Sequence, residues 1–304
     1  MANTGMVDLK MQDADGFLLG GDLPVRRLGY GTMRLTGEGA WGEPPTGREQ
    51  ARAVLRKAVE LGVNLIDTAD AYGPQIAEEL IAEALYPYAK GLVIATKGGL
   101  TRQGPARSKP CGRPDYLQQQ LEMSLRRLRV ERIDLYQLHR IDPTVPVAET
   151  LGALKDAQTQ GKIRHIGLSE VTPEQIDEAQ KTVRIVSVQN RFNLVERKSE
   201  ATLRFCEEHG MGFIPWYPIN AGKLSRHSGD GDGTNHPLDD LAKQHHATVG
   251  QLSLAWLLHR SPVILPIPGT SSIEHLEENV AASRLEVSDD DWAAIELILD
   301  TQAS

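Results

Sequence analysis

Several polar side chains in this 304-residue sequence stand at the ends of short apolar runs, where a side chain can be both held and reachable. Asp67 follows Leu65-Ile66, Lys97 follows Val93-Ile94-Ala95-Thr96, and His139 ends Ile133 to His139. Ser169, Gln189 and Trp216 close three further runs in the same way. An amine on a stem as apolar as that of Lys97 needs an anion beside it, and Asp67 can supply one. Tyr72 lies five residues beyond Asp67, just before the turn pair Gly73-Pro74, which can swing its phenol back over the same rim. A tyrosine beside a lysine cation has its ionised form favoured, so its proton is easier to give and recover. That is acid-base chemistry without a metal; the bland alternative is a structural ion pair.

The elements that must position these groups follow one repeated unit: an amphipathic helix closed by glycine, then a short apolar run ending in polar residues. Ala51 to Leu61 is stopped by Gly62, Ala148 to Gln160 by Gly161, and Ala201 to His209 by Gly210, each glycine suiting a left-handed cap. Strands are expected near Gly29 to Met33, Leu65 to Asp67, Leu92 to Lys97, Ile133 to His139, Ile163 to Ser169, Ile185 to Gln189, Gly212 to Trp216 and Val263 to Pro266. A helical pattern follows each, about 47–61, 75–86, 115–129, 147–160, 173–181, 200–209, 248–259 and 272–282. Nearly unbroken apolar strands alternating with helices mean a covered parallel sheet. Eight such units predict an α/β fold, one (β/α)₈ TIM barrel domain over residues 1–304, with the rim residues gathered at its mouth. A doubly wound nucleotide-binding sheet is disfavoured: Gly29 and Gly31 begin its glycine turn, but Arg34 stands where the third glycine belongs. Outside the barrel are a predicted hairpin around Phe17 to Asp22, a polar Gly/Ser/His segment at about 225–237, and a C-terminal helix opened by Ser288 and Asp289 to Asp291.

Composition narrows the partners. Hydrophobic residues at 40% and charged residues at 24% suit a packed globular domain rather than a disordered one. With 33 Lys plus Arg against 41 Asp plus Glu, the net charge of −8 repels nucleic acid. The densest basic run, Arg126, Arg127, Arg129 and Arg132, reads as a solvated helix face. No apolar run is long enough for a membrane span, and Cys111 and Cys206 have no metal-ligand spacing, so a cytoplasmic location and no bound metal are expected. His245-His246 reads as surface, His165 as packed within its strand, and Cys206 as a buried thiol. A monomer is compatible with all of this.

Three segments resemble the signatures of the aldo-keto reductase superfamily: Asp67-Thr68-Ala69-Asp70-Ala71-Tyr72-Gly73, Ala95-Thr96-Lys97-Gly98, and Asp134 to His139. The likeness runs from about Leu28 to Asn279 and includes Gly167-Leu168-Ser169, Val188 to Asn193, and Pro266 to Thr270. It implies reduction of a small-molecule carbonyl by NADP(H). By the same resemblance, Tyr72 is the proton donor, Lys97 tunes it, Asp67 partners Lys97, and His139 orients the carbonyl. Ser169 and Gln189 match contacts to the nicotinamide carboxamide, Trp216 the ring that stacks on nicotinamide, and Ile219 the pyrophosphate stretch. Glu278 and Asn279 match adenine contacts.

Two departures stand out. Glu170 replaces the Asn common after the Gly-Leu-Ser serine, and an ionised carboxylate cannot donate to a carboxamide oxygen. Gly269 and His275 fall where many members hold the 2′-phosphate with Lys and Arg. Thr270, Ser271 and the following helix N-terminus still suit a phosphate, so a weakened NADPH preference is expected. Trp41, in the loop after the first strand, is expected to wall the substrate site. The runs Arg27 to Leu35 and Ala84 to Tyr88 resemble a bacterial branch containing pyridoxal reductases, which implies aldehyde substrates. The alternative is a nucleotide-binding regulatory subunit resembling channel β-subunits, with slow or no turnover.

Overall fold

The computed structural model describes residues 16–219 and 238–303; the polar segment expected at about 225–237 lies outside the described residues. The chain enters as an antiparallel pair, β1 (Gly16–Leu19) and β2 (Leu23–Arg26), and continues through β3 (Tyr30–Gly31), α1 (Arg48–Glu60), β4 (Leu65–Asp67), α2 (Ile76–Leu85) and β5 (Val93–Gly98). A second antiparallel pair, β6 (Leu100–Gly104) and β7 (Arg107–Pro110), follows. Then come α3 (Pro114–Leu128), β8 (Ile133–Leu138), α4 (Val147–Thr159), β9 (Ile163–Ser169), α5 (Pro173–Gln180), β10 (Ile185–Gln189), α6 (Glu200–His209) and β11 (Gly212–Phe213). The last described helices are α7 (Asp239–Gln244), α8 (Val249–Arg260), α9 (Ile273–Ala281) and α10 (Asp289–Ala303). Seven strands pair side by side in parallel, in the order β11-β10-β9-β8-β5-β4-β3.

The eighth strand expected at Val263 to Pro266 is not a regular strand. Phe213 donates to the Val263 carbonyl at 2.8 Å and accepts from Leu265 N–H at 2.8 Å, so one side pairs normally. On the other side Gly29 N–H reaches Pro266 O at 2.9 Å and Gly31 N–H reaches Pro268 O at 3.3 Å. Proline has no N–H to return, so this pairing runs one way and no ladder forms. The two edges of the seven-stranded sheet nonetheless meet on one segment. Proline also shortens β11: Pro215 interrupts it, and Trp216 makes a separate bridge, its N–H on Asn190 O at 3.1 Å. At the other edge β3 stops at Gly31, and Met33–Leu35 turn into a short 3₁₀ helix instead of completing the expected strand.

Two apolar layers result. Inward-facing Leu65, Val93, Leu135, Val186, Ile214 and Leu265 pack with Leu19, Leu23 and Val25 of the β1–β2 hairpin, which covers the N-terminal ends of the strands. Asn64 fastens it, accepting from Arg26 N–H at 2.7 Å and donating to Pro24 O at 3.1 Å. Asp22 pairs with Arg164 and His165 at 3.0 and 2.6 Å, and the His165 ring fills the space a side chain at Gly20 would need. Outside the strands the helices bury their apolar stripes, as with Ala51, Val54, Leu55 and Ala58 of α1. The glycines expected to end helices do so: Gly161 and Gly210 adopt φ of +79° and +62°. Helix α8 is apolar nearly all round because α10 covers it, with Trp292 stacked on His259 at 4.5 Å and Glu296 accepting from Trp256 Nε1 at 2.7 Å. His245 is tied to the same helix through Asp291 at 3.0 Å, which takes it out of the expected solvated surface. Cys206 is buried, which pushes its thiol pKa up to about 12, and both cysteines are unpaired.

One basic residue corrects the sequence reading. Arg127 points inward, only 7% exposed, and pairs at 2.6 Å with Glu78, which is fully buried and also accepts from Thr96 Oγ1. Beside this pair Asp70 is buried with no side-chain partner for its carboxylate among the described residues, and the Ala71 backbone N–H gives it only weak support. Burial, reinforced by the Glu78 charge, raises its pKa well above 3.8, against the opposing pull of Arg127 and Lys97. An acid raised in the folded state costs no stability below its unfolded pKa, and its cost grows as pH rises toward the folded value. Asp70→Asn should therefore raise the urea midpoint at pH 7, with the gain shrinking as pH falls toward 4; equal midpoints at pH 7 would show that Asp70 is satisfied.

Candidate active site

The parallel strands deliver their polar ends to one rim. Lys97, fully buried near the end of β5, donates to Asp67 Oδ1 at 2.6 Å, to Thr68 O at 2.8 Å and to Tyr72 Oη at 3.3 Å. Asp67 Oδ2 accepts from Gln137 Nε2 at 3.2 Å and Gln189 Nε2 at 2.8 Å. Gln137 sits two residues past Leu135 on β8, so the two-residue alternation of a strand points it into the same interior. The sequence reading passed over it, although that alternation was available.

Tyr72 and His139 meet edge to face, ring centres 6.0 Å apart, with the Lys97 ammonium 5.0 Å from the Tyr72 ring centre. Lys97 pulls the Tyr72 pKa down as expected, but burial outweighs it and the net direction is upward from 10.0. The phenol is therefore held protonated through neutral pH. His139 moves the other way: burial first, then the charges of Lys97, Arg140 and Arg102, push its pKa well below 6.5. It is a neutral imidazole, and its buried Nδ1 has no partner among the described residues.

These groups line one end of a cavity of about 690 Å³. Asp67, Tyr72, His139, Ser169, Gln189 and Trp216 lie along it, then Ile219, and at the far end Gly269, Thr270, Ser271, His275, Glu278 and Asn279. Lys97 stands behind this wall, reaching it through Tyr72. Trp41 does not line the cavity: it is 37% exposed, bridged to Gly73, with the Arg102 guanidinium 5.9 Å from its ring centre. Ala40 and Arg102 take the wall position instead.

Three cavity arginines were missed. Arg34 approaches Gly269, its Cγ within 3.5 Å of where a side chain there would begin. Arg140 donates to His139 O at 2.6 Å and Ser169 Oγ at 2.9 Å. Arg102 arrives on the β6–β7 hairpin, whose polar sequence gave no strand signal. Glu170 lies outside the cavity lining; its Oε1 accepts from Trp216 Nε1 at 2.5 Å and from Arg191 backbone N–H at 2.7 Å. The carboxylate thus fixes the indole plane, while the Arg191 guanidinium pairs with Glu196 at 2.8 Å.

The donor set changes along the cavity in a way that fits a dinucleotide. Near Tyr72 it offers an aromatic face and amide or hydroxyl partners, with the outward oxygen of Gln189 free of the Asp67 bond made by its nitrogen. At the other end it offers hydroxyls, a helix N-terminus and Arg34.

Comparison with known proteins agrees with this arrangement. The model of the aldo/keto reductase family matches residues 27–300. An uncharacterised oxidoreductase of Schizosaccharomyces pombe is 50% identical over 91% of this chain and 87% of its own length. Pyridoxine 4-dehydrogenase of Escherichia coli is 42% identical over 89% of this chain and 93% of its own. A crystal structure of an aldo-keto reductase from Klebsiella pneumoniae in complex with NADPH superposes with a TM-score of 0.78 at 27% identity, covering 94% of this chain and 95% of that one.

Removing the Lys97 charge leaves the Asp67 carboxylate buried with only neutral donors. Lys97→Met should cost about 3–5 kcal/mol in urea unfolding, and adding Asp67→Asn should recover part of that loss. A single variant as stable as the parent would show that the pair contributes little.

Proposed function

Since the chain belongs to the aldo/keto reductase family, we propose that it is an NADPH-dependent reductase of aldehydes or ketones, working at the mouth of a single (β/α)₈ barrel domain in which the irregular segment 263–268 takes the place of the eighth strand. The observation that carries this reading is the Asp67–Lys97–Tyr72 chain of contacts opening beside a neutral His139. Bound NADPH supplies the hydride. Tyr72 gives its proton to the carbonyl oxygen as negative charge develops there, and Lys97 stabilises the phenolate left behind. Asp67 keeps Lys97 charged and in place. The neutral His139 offers an N–H that orients the carbonyl oxygen without competing for the proton. Ser169 and Gln189 suit the nicotinamide carboxamide, with Trp216, held by Glu170, against its ring.

At the adenosine end, Arg34 supplies the fixed charge that Gly269 does not, with Thr270, Ser271 and His275 beside it. Glu278 and Asn279 suit the adenine. The similarity to pyridoxine 4-dehydrogenase supports pyridoxal as a first aldehyde to test. Free Cys111 and Cys206 suit the reducing cytoplasm, and no helix among the described residues is long and apolar enough to cross a membrane.

Loss of NADPH absorbance with a panel of aldehydes, pyridoxal included, tests the reaction. Tyr72→Phe should lower kcat by about 10²-fold or more while keeping the NADPH dissociation constant within a few-fold; turnover near the parent's would remove Tyr72 from the mechanism. Because Tyr72 is raised and His139 lowered, kcat/KM should stay flat between pH 6 and 8. A step in that window would mean that one of the two titrates there.

Arg34 generates a separate expectation for the cofactor. Arg34→Ala should raise the dissociation constant of NADPH more than that of NADH, measured by quenching of protein fluorescence. Equal effects on both would place Arg34 away from the 2′-phosphate.

A further inference from the structure

The cavity is more positive at its reacting end than a neutral carbonyl substrate requires. Arg102 and Arg140 both line it beside Tyr72 and His139, and neither forms an ion pair among the described residues. Their partners are neutral. Arg140 is committed to the His139 carbonyl and the Ser169 hydroxyl, and Glu170 acts on it only from a distance.

Arg102 is different. One terminal nitrogen, Nη2, shares its two N–H groups among three carbonyls, those of Gly39, Ala40 and Gly104, at 2.5, 3.2 and 3.3 Å. The guanidinium plane is held further by the Trp41 ring, and its second terminal nitrogen, Nη1, has no hydrogen-bond partner among the described residues. A planar cation fixed along one edge and unpaired on another is preorganised to receive an anion, because little side-chain freedom remains to be lost on binding. Its place on the hairpin after β5, against Ala40 and beside Tyr72, lies away from the 269–279 end that suits cofactor phosphate.

We propose that Arg102 is the anion-binding residue of the substrate pocket, so that the preferred substrates are aldehydes or ketones carrying a carboxylate or phosphate within a few atoms of the carbonyl. This rests on the carbonyl-reductase reading and deepens it. The ion pair forms at the cavity rim, and the same guanidinium holds the substrate's charged end while Tyr72 addresses its carbonyl.

The test compares matched pairs with the NADPH-loaded enzyme: 4-carboxybenzaldehyde against 4-nitrobenzaldehyde, and pyridoxal 5′-phosphate against pyridoxal. The expected result is a kcat/KM at least about tenfold higher for the anionic member of one pair or both, carried by KM and weakened by added salt. The pair that responds tells carboxylate from phosphate. In Arg102→Gln, which removes the charge and is two bonds too short to replace Nη2 at the Gly39 and Ala40 carbonyls, that ratio should collapse toward one. A ratio near one in the parent protein, or one that Arg102→Gln leaves intact, overturns the proposal, and equal losses on both members of a pair make Arg102 a fastener of the β6–β7 hairpin only.

If no carbonyl compound is reduced, the reaction assignment fails, and titration of 4-(hydroxymethyl)benzoate into the NADPH complex still decides the matter. Saturable binding that Arg102→Gln weakens about tenfold supports the anion site. Absence of binding, or binding indifferent to the substitution, refutes it.

Discussion

The rest of the molecule is arranged around one buried carboxylate. Asp67, at the end of β4, takes a hydrogen bond from Lys97 of β5, another from Gln137 of β8 and a third from Gln189 of β10. Four strands of the sheet are thereby joined at their C-terminal ends by a single side chain. Desolvating a charge this completely is unfavourable unless its lone pairs are occupied, which explains why two glutamines accompany the lysine. The same bonds fix Lys97 Nζ, and through it the position at which a phenol can be met.

Seen from that pair outward, the charge distribution inverts. The chain carries a net charge of −8, yet this cavity is lined by Arg34, Arg102 and Arg140 against two acids, Asp67, already neutralised by Lys97, and Glu278 at the far end, so its lining is net positive. A low-dielectric cleft of one sign in a surface of the other focuses field lines and concentrates anionic ligands at its mouth. Burial then assigns opposite fates to the two titratable groups that face each other: the phenol keeps its proton and the imidazole sheds its second one.

How much of this could be read beforehand depended on the kind of signal. Rim residues were legible because each ends an apolar run, and a parallel sheet buried on both faces writes such runs plainly. Seven of the eight expected strands are present as strands. The eighth was placed correctly but is irregular, because a segment with proline at 266 and 268 can accept hydrogen bonds without donating them. Arg127 was misread for lack of its partner: nothing in the spacing of α3 reveals a glutamate 49 residues away. Arg102 was invisible for a related reason, since its own strand β6 buries only Leu100 and Gly104, its partner β7 is exposed throughout, and neither offers an apolar alternation. For Tyr72 the neighbouring cation could be named from the sequence, but the desolvation that outweighs it is a property of the closed packing.

The β1–β2 hairpin has a practical consequence. Because Leu19, Leu23 and Val25 plug the strand ends opposite the cavity, the two faces of the fold are unequal: one is sealed by core packing, the other open. Gly16, the first described residue and the start of that hairpin, therefore stands on the sealed side. An immobilisation tether attached through that side would leave the open face turned toward bulk solution, whereas a tether placed on the β6–β7 hairpin would sit across the entrance.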